Sequence, residues 1–277
     1  MKKLKTNREI LKDYINVLFI GDIVGEPGYK FTKEVLPELK KKYEIDFTIA
    51  NGENINEGNG ILERDAKKLL ELGIDVLTGG NHTFDKIQAH NFIKNATNVL
   101  RPFNYPKGVY GNGYGVYSVK DEKCKIGVVS LMGRVYLKYI DCPFRGFDEV
   151  YKAVSKETKI IFVDFHAEAS AEKLAFYYYA DGRASAIVGT HTHVQTADER
   201  ISENGTAYIT DSGMTGPYDS VIGTNKESAI KRFIFSTPHR HEVATNDVKF
   251  AGMFYKINKD TGKTEVMERI FFPEFKK

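Results

Sequence analysis

The sequence predicts an α/β fold built in layers, with a sheet on each side of its centre. Short apolar runs alternate with amphipathic stretches of helical period through the first part of the chain. The last part turns to apolar runs separated by turn signals. Acidic, amide and imidazole residues directly follow several of the apolar runs. In open α/β sheets that is the edge where ligands bind.

The elements follow in order. "INVLFIG" (15–21) is a continuous apolar run ending in Gly, the pattern of a buried strand. "YKFTKEVLPELKKKY" (29–43) reads as a helix with Phe31, Val35 and Leu39 on one face, and Pro37 inside it predicts a kink or a break. "DFTIANG" (46–52) is a second buried strand. In "LERDAKKLLELG" (62–73), Leu62, Ala66, Leu69 and Leu70 share a helix face and Gly73 is placed to end it. "DVLTGG" (75–80) is a third strand, which completes a β-α-β-α-β order. "GYGVYSVK" and "CKIGVVSL" are strands joined by the charged turn "DEK". Helices over 148–157 and 170–182 enclose a strand over 159–165, and strands follow at 185–190 and 205–211. The end of the chain, "SAIKRFIF", "HEVATND", "VKFAGMFYKIN" and "KTEVMERIFF", reads as β-rich. No Pro- or Gly-rich linker divides the chain, so 15–277 reads as one domain behind an N-terminal extension, 1–14.

Composition narrows the function. Hydrophobic residues make up 42% of the 277, enough for a full core. Forty basic residues against thirty-seven acidic give a formal charge of +3, too balanced to argue for nucleic acid as a main partner. The two cysteines, Cys124 and Cys142, lack CxxC spacing and read as reduced packing residues of a cytoplasmic protein. No signal peptide or transmembrane run is expected.

The polar residues at the strand ends carry the chemistry. Strand one ends in Gly21-Asp22, strand two in Asn51-Gly52-Glu53-Asn54 and strand three in Gly79-Gly80-Asn81-His82. Later strands end in Asp164-Phe165-His166 and in Gly189-Thr190-His191-Thr192-His193. Each group alone has a plain reading. Asp22 suits a helix cap, Asn51, Asn54 and Asn56 suit a turn, and Asn81-His82 suits another turn. All of them together favour a metal cluster on one sheet edge. Imidazole, carboxylate and amide oxygen without thiolate suit Fe, Mn, Zn or Co. Glu53 is placed to bridge two ions roughly 3.5–4 Å apart, as in many phosphatases. His90 reads as solvent-facing, and His239 and His241 as surface residues of a turn. Thr192 and Asp211 are candidates for orienting the histidines. Tyr110, Tyr114, Tyr136, Tyr139 and Phe144 lie in candidate rim loops, although such residues are more often packing.

"GDIVG", "NGEN", "GGNHTFD", "DFHAE", "GTHTHVQTAD" and "YITDSGMTGPYDSVIG" resemble the YmdB-like branch of the calcineurin-like metallophosphoesterases. The motifs run in order from about Ile15 to about Phe271, and "ADGRAS" (180–185) also fits. The resemblance implies a four-layer α/β/β/α sandwich. It departs from the wider superfamily at two points. Val24 stands where the first motif usually has histidine, and Gly52-Glu53 replaces Gly-Asp. Asn54 is expected to help fill the position of the missing histidine.

Carried over residue by residue, the resemblance implies that Asp22, Glu53, Asn54 and His193 surround one ion. Glu53, Asn81, His166 and His191 then surround the other, with Glu53 bridging. His82 resembles the family's catalytic histidine, a general acid or a donor to the transition state. The implied protein is a phosphodiesterase with two transition-metal ions, Fe or Mn, acting on 2′,3′-cyclic or 3′,5′-cyclic nucleotides through a hydroxide bridging the ions. A phosphomonoesterase or phosphoprotein phosphatase is the alternative enzyme reading, and a metal-holding regulatory scaffold the non-enzymatic one. The expected partner is a small phosphodiester, with no membrane; a homo-oligomer is suggested only by the family.

Overall fold

The computed structural model describes residues 13–119, 124–238 and 242–275. It contains two sheets packed face to face, each covered outside by helices. The first sheet has the order β2-β11-β12-β1-β3-β4, with β13 paired to β12. Its strands are β1 (Tyr14–Ile20), β2 (Asp22–Ile23), β3 (Phe47–Asn51), β4 (Val76–Thr78), β11 (Met214–Pro217), β12 (Val248–Asn258) and β13 (Thr264–Phe272). The second has the order β5-β6-β7-β8-β10-β9. It consists of β5 (Tyr114–Ser118), β6 (Lys125–Met132), β7 (Ile161–His166), β8 (Ala186–Thr190), β9 (Arg200–Ile201) and β10 (Ala207–Ile209). β1, β3 and β4 run parallel, as do β6, β7, β8 and β10.

Side chains alternate across each strand, so every buried strand feeds two apolar layers. In β1, Ile15, Val17 and Phe19 enter the core between the sheets, where they meet Ile126, Val128, Phe162 and Val188 of the other sheet. Leu18 and Ile20 face outward, against Leu36 and Leu39 of α1 (Gly25–Lys42) and Ala66 and Leu69 of α2 (Glu63–Glu71). Ile93 of α3 (Ala89–Asn95) joins that layer. On the other side, Val163 and Phe165 of β7 meet Phe147 and Val150 of α4 (Pro143–Val154) and Phe176 of α5 (Ser170–Ala180). The result is the expected α/β/β/α sandwich. Phe19 and Phe162 stack across its middle at 5.6 Å, and Tyr255 meets Phe162 edge-on at 5.3 Å.

Several local expectations are corrected. α1 begins at Gly25, with Val24 as its N-cap, so Asp22 caps no helix. Pro37 does not break α1, which runs through it. Pro37 and Lys33, whose carbonyl loses its partner, lie on the exposed side, where water can satisfy the freed group. "SAIKRFIF" is not a strand but most of α6 (Lys226–Phe235). The Asn225 side chain caps that helix by accepting from the Glu227 and Ser228 N–H groups, a local signal that outweighs the β-prone composition. Residues 242–247 form only an isolated bridge, Thr224 with Val243. Tyr114 lies in β5 against Phe103, and Phe144 lies in α4 against Phe176 and Tyr179, so neither is a rim-loop residue. His90 is half-buried, wedged between Phe84 and Tyr110 rather than facing solvent. Cys124 is buried and Cys142 half-buried. The predicted 121–123 turn, His239, His241 and nearly all of the N-terminal extension lie outside the described residues.

Phe162→Ala removes the aromatic ring at the centre of the inter-sheet layer. It should cost about 3–5 kcal/mol of stability, read from urea unfolding. A loss below about 1 kcal/mol would show that this contact does not hold the two sheets together.

Candidate metal centre

Strand parity builds the site. The alternation that sends Phe162 into the inter-sheet core also sends Asp164 and His166 to that side of β7. Asn51 of β3, Thr78 of β4 and Thr190 of β8 follow Ile49, Val76 and Val188 in the same way. At the carboxyl ends of the strands the layer therefore changes from apolar to polar. Asp164 is fully buried there and bridges the sheets. Its Oδ2 accepts from Thr78 Oγ1 at 2.5 Å and from Asn51 Nδ2 at 3.1 Å, while its Oδ1 accepts from Thr190 Oγ1 at 2.6 Å. Burial pushes this carboxyl up to about 6.

Three histidines converge on the polar layer, and each has one ring nitrogen committed outward. His166 Nδ1 lies 3.0 Å from Thr190 Oγ1. That hydroxyl gives its own proton to Asp164, so His166 Nδ1 is the donor. His193 Nδ1 donates to the Ile222 carbonyl at 2.9 Å. His191 Nε2 lies 3.2 Å from the Glu168 carboxylate. The remaining nitrogens, His166 Nε2, His193 Nε2 and His191 Nδ1, all face inward. Such outer bonds fix the tautomer and aim of metal-binding imidazoles.

The inward atoms form two adjoining groups. In the first, His166 Nε2 is 3.0 Å from Glu53 Oε1, 2.8 Å from Asn81 Oδ1 and 3.0 Å from His191 Nδ1. Ligand atoms of Glu53, His166 and His191 all lie within 4.8 Å of one another. In the second, Asn54 Nδ2 is 3.1 Å from both Asp22 Oδ1 and His193 Nε2, and His193 Nε2 is 3.6 Å from Asp22 Oδ1. The His191 N–H donates to Asp22 Oδ2 at 3.3 Å and joins the two groups. All seven residues proposed as ligands from the sequence are thus brought together.

Electrostatics follow from this crowding. Burial pushes the Asp22 and Glu53 carboxyls up, but His193 and His166 respectively outweigh it and hold both below their ordinary values. Burial pulls His166 down, yet Glu53 outweighs it and lifts the imidazole to about 9. Burial and the neighbouring His166 pull His191 down to about 3.

The arrangement fits a cation. His166 Nε2 faces two oxygens and a nitrogen that all offer lone pairs, and one proton cannot satisfy three acceptors. Glu53 Oε1 is buried and makes no hydrogen bond despite its closeness to His166. An amide offers its oxygen to a cation, and a half-turn of Asn54 exchanges its oxygen and nitrogen. Gly80 leaves room for this cluster: a Cβ there would sit 2.2 Å from His166 Cδ2.

The histidine loop is held under strain. His191 and His193 have φ of +100° and +64°, the left-handed region that bulky residues avoid. Lys173 and Asp211, both fully buried, form an ion pair at 2.8 Å beneath the loop. Lys173 donates to the Thr190 carbonyl at 2.9 Å, and Asp211 accepts from the Thr192 N–H at 3.0 Å. Asp211 therefore orients the loop, and Thr192 takes part through its backbone.

His82 stands beside this centre. Its N–H donates to Glu53 Oε2 at 2.9 Å, and its Nδ1 pairs with Asp85 Oδ2 at 2.6 Å. Lys138 bonds the Asn81 carbonyl and lies 3.7 Å from Asp85. His82, His191, His193 and Asn54 line one cavity of about 310 Å³. Sequence reasoning missed Asp85, Glu168, Thr78, Lys173 and Lys138 as parts of the site. Asp85 was within reach of it, three residues from His82.

The profile of the family described as YmdB-like protein matches residues 18–270. The chain belongs to the YmdB-like family. It is 48% identical over 256 residues to a 2′,3′-cyclic-nucleotide 2′-phosphodiesterase of Bacillus subtilis, covering 92% of this chain and 96% of that protein. Among solved structures, a hypothetical protein from Thermus thermophilus is 36% identical with a TM-score of 0.86, over 93% of this chain and 99% of that one. A crystal structure titled as a novel phosphatase from Mycoplasma pneumoniae is 35% identical with a TM-score of 0.86, over 94% of this chain and 93% of the other.

Glu53→Gln keeps the shape of the side chain and removes its charge. In this family member it should lower the metal content after dialysis, measured by mass spectrometry of the digested protein. Full metal content in the variant would show that Glu53 holds no metal.

Proposed function

We propose that this chain is a dimetal-dependent phosphodiesterase that hydrolyses cyclic nucleotides. The observation that carries the reading is the inward convergence of His166 Nε2, His191 Nδ1 and the buried Glu53 Oε1 on one point, with His82 held beside them. The 48% identity to a 2′,3′-cyclic-nucleotide phosphodiesterase supports it. Asp22, Glu53, Asn54 and His193 would hold one ion, and Glu53, Asn81, His166 and His191 the other. When bound, the ions supply Lewis acidity that activates water and neutralises the phosphoryl oxygens, and iron or manganese suits this donor set.

The protein groups do the rest. Asp85 fixes the His82 ring through Nδ1, which leaves Nε2 to give a proton to the departing sugar oxygen. Lys138 links the Asn81 carbonyl to Asp85 and so ties a ligand residue to the proton donor. The oxygen of water adds to phosphorus as one P–O bond to the sugar breaks, the sugar oxygen takes a proton from His82, the proton released by water replaces it, and a nucleoside monophosphate leaves. Either a 2′,3′-cyclic or a 3′,5′-cyclic diester meets this requirement. Two cysteines without CxxC spacing suit a reducing cytoplasm. No helix among the described residues is long and apolar enough to cross a membrane.

The test is hydrolysis of 2′,3′-cyclic AMP, 3′,5′-cyclic AMP and a phosphomonoester by protein loaded with iron or manganese without oxygen. Turnover of a cyclic diester is expected, lost on chelation and not restored by magnesium alone. His82→Ala should lower kcat by roughly 10²–10⁴-fold with metal content unchanged. Faster turnover of the monoester would make the protein a phosphatase. Two bound ions with no turnover and no effect of His82→Ala would make it a scaffold.

A further inference from the structure

We infer that Arg232 forms the base-facing wall of the substrate cavity, so that this side chain selects nucleotides over smaller diesters. The inference rests on the phosphodiesterase reading above and deepens it. The cavity of about 310 Å³ has the metal-facing histidines and His82 on one side. The turn after β11, with Ile222 and Thr224, and Arg232 of α6 complete the lining, and the Ile222 carbonyl accepts from His193 Nδ1 at 2.9 Å. The volume is at the small end of ligand sites, which run from roughly 300 to 1,000 Å³. It suits one nucleotide and leaves no room for a protein segment.

Among the described residues lining the cavity, Arg232 is the only one with a fixed charge, and no carboxylate lines it to neutralise that charge. Val24, Ile222 and Gly223 in the same lining are apolar or lack a side chain. The apolar part of this lining suits the flat face of a base. A guanidinium is planar and stacks on aromatic faces, which an ammonium cannot do. Arg232 also lies in the last turn of α6, where any cation is favoured by the helix dipole. The dipole accounts for a positive charge there, which Lys231 would serve equally well. It does not account for an arginine, exposed on α6, among the residues that line the cavity with His82.

The experiment compares Arg232→Ala, Arg232→Lys and the neighbouring control Lys231→Ala. Each is assayed on 2′,3′-cyclic AMP and on glycerol 1,2-cyclic phosphate, which has the same strained ring and no base. Calorimetric binding of adenosine 3′-monophosphate is measured in parallel. Arg232→Ala should raise KM for the nucleotide by roughly tenfold with kcat nearly unchanged, and weaken binding of the monophosphate equally. KM for the glycerol diester should not move. Arg232→Lys should recover little, and Lys231→Ala should match the wild type. An unchanged nucleotide KM, equal losses on both diesters, or full recovery with lysine would each overturn the inference. The wild-type rate on 2′,3′-cyclic AMP tests the phosphodiesterase reading separately, because the binding comparison needs no turnover.

Discussion

The Asp164 carboxylate is the interaction on which the rest of the site depends. It sits at the end of a strand in one sheet and accepts hydrogen bonds from Thr78 and Asn51 at the ends of two strands in the other. In the middle of the sandwich the sheets meet through apolar contact, which is strong but not directional. At Asp164 they are joined by bonds with defined lengths and angles. Removing its partners would leave a buried charge unpaired, which costs far more than the bonds contribute when made. The same carboxylate takes the Thr190 proton and thereby sets which nitrogen of His166 faces inward.

A second constraint acts on the loop that carries His191 and His193. Left-handed backbone at two histidines is unfavourable, and such strain persists only where the surroundings over-determine it. Here the buried Lys173–Asp211 pair holds the carbonyl before the loop and an amide within it. The outcome is that two histidines one residue apart diverge. One joins His166 and Glu53, and the other joins Asp22 and Asn54. In an extended strand they would have pointed the same way.

Much of this was legible in the sequence because buried parallel strands are nearly continuous apolar runs, so a polar residue at the end of one stands out. Asp22, Glu53, Asn81, His166 and His191 were all visible on that ground. The supporting residues were not. Thr78 looks like an ordinary strand residue until pairing places it beside Asp164 of the facing sheet, and Lys173 looks like a surface lysine of a helix. The edge of the fold was misread where a local signal opposed composition. The Asn225 cap turns a Phe- and Ile-rich segment into α6, and that helix brings Arg232 to the cavity. At Pro37 the break does not occur, because its cost falls on a solvent-facing carbonyl.

The proposal that matters most is that one buried carboxylate, Glu53, would be shared by two ions. The most direct measurement is a crystal structure of the manganese- or iron-loaded protein, with anomalous difference maps recorded at the metal edge. The account predicts two peaks roughly 3.5–4 Å apart, one on each side of the Glu53 carboxylate, with His166 and His191 on one and His193 on the other. A single peak, or two peaks of which one lies away from Glu53, would contradict it.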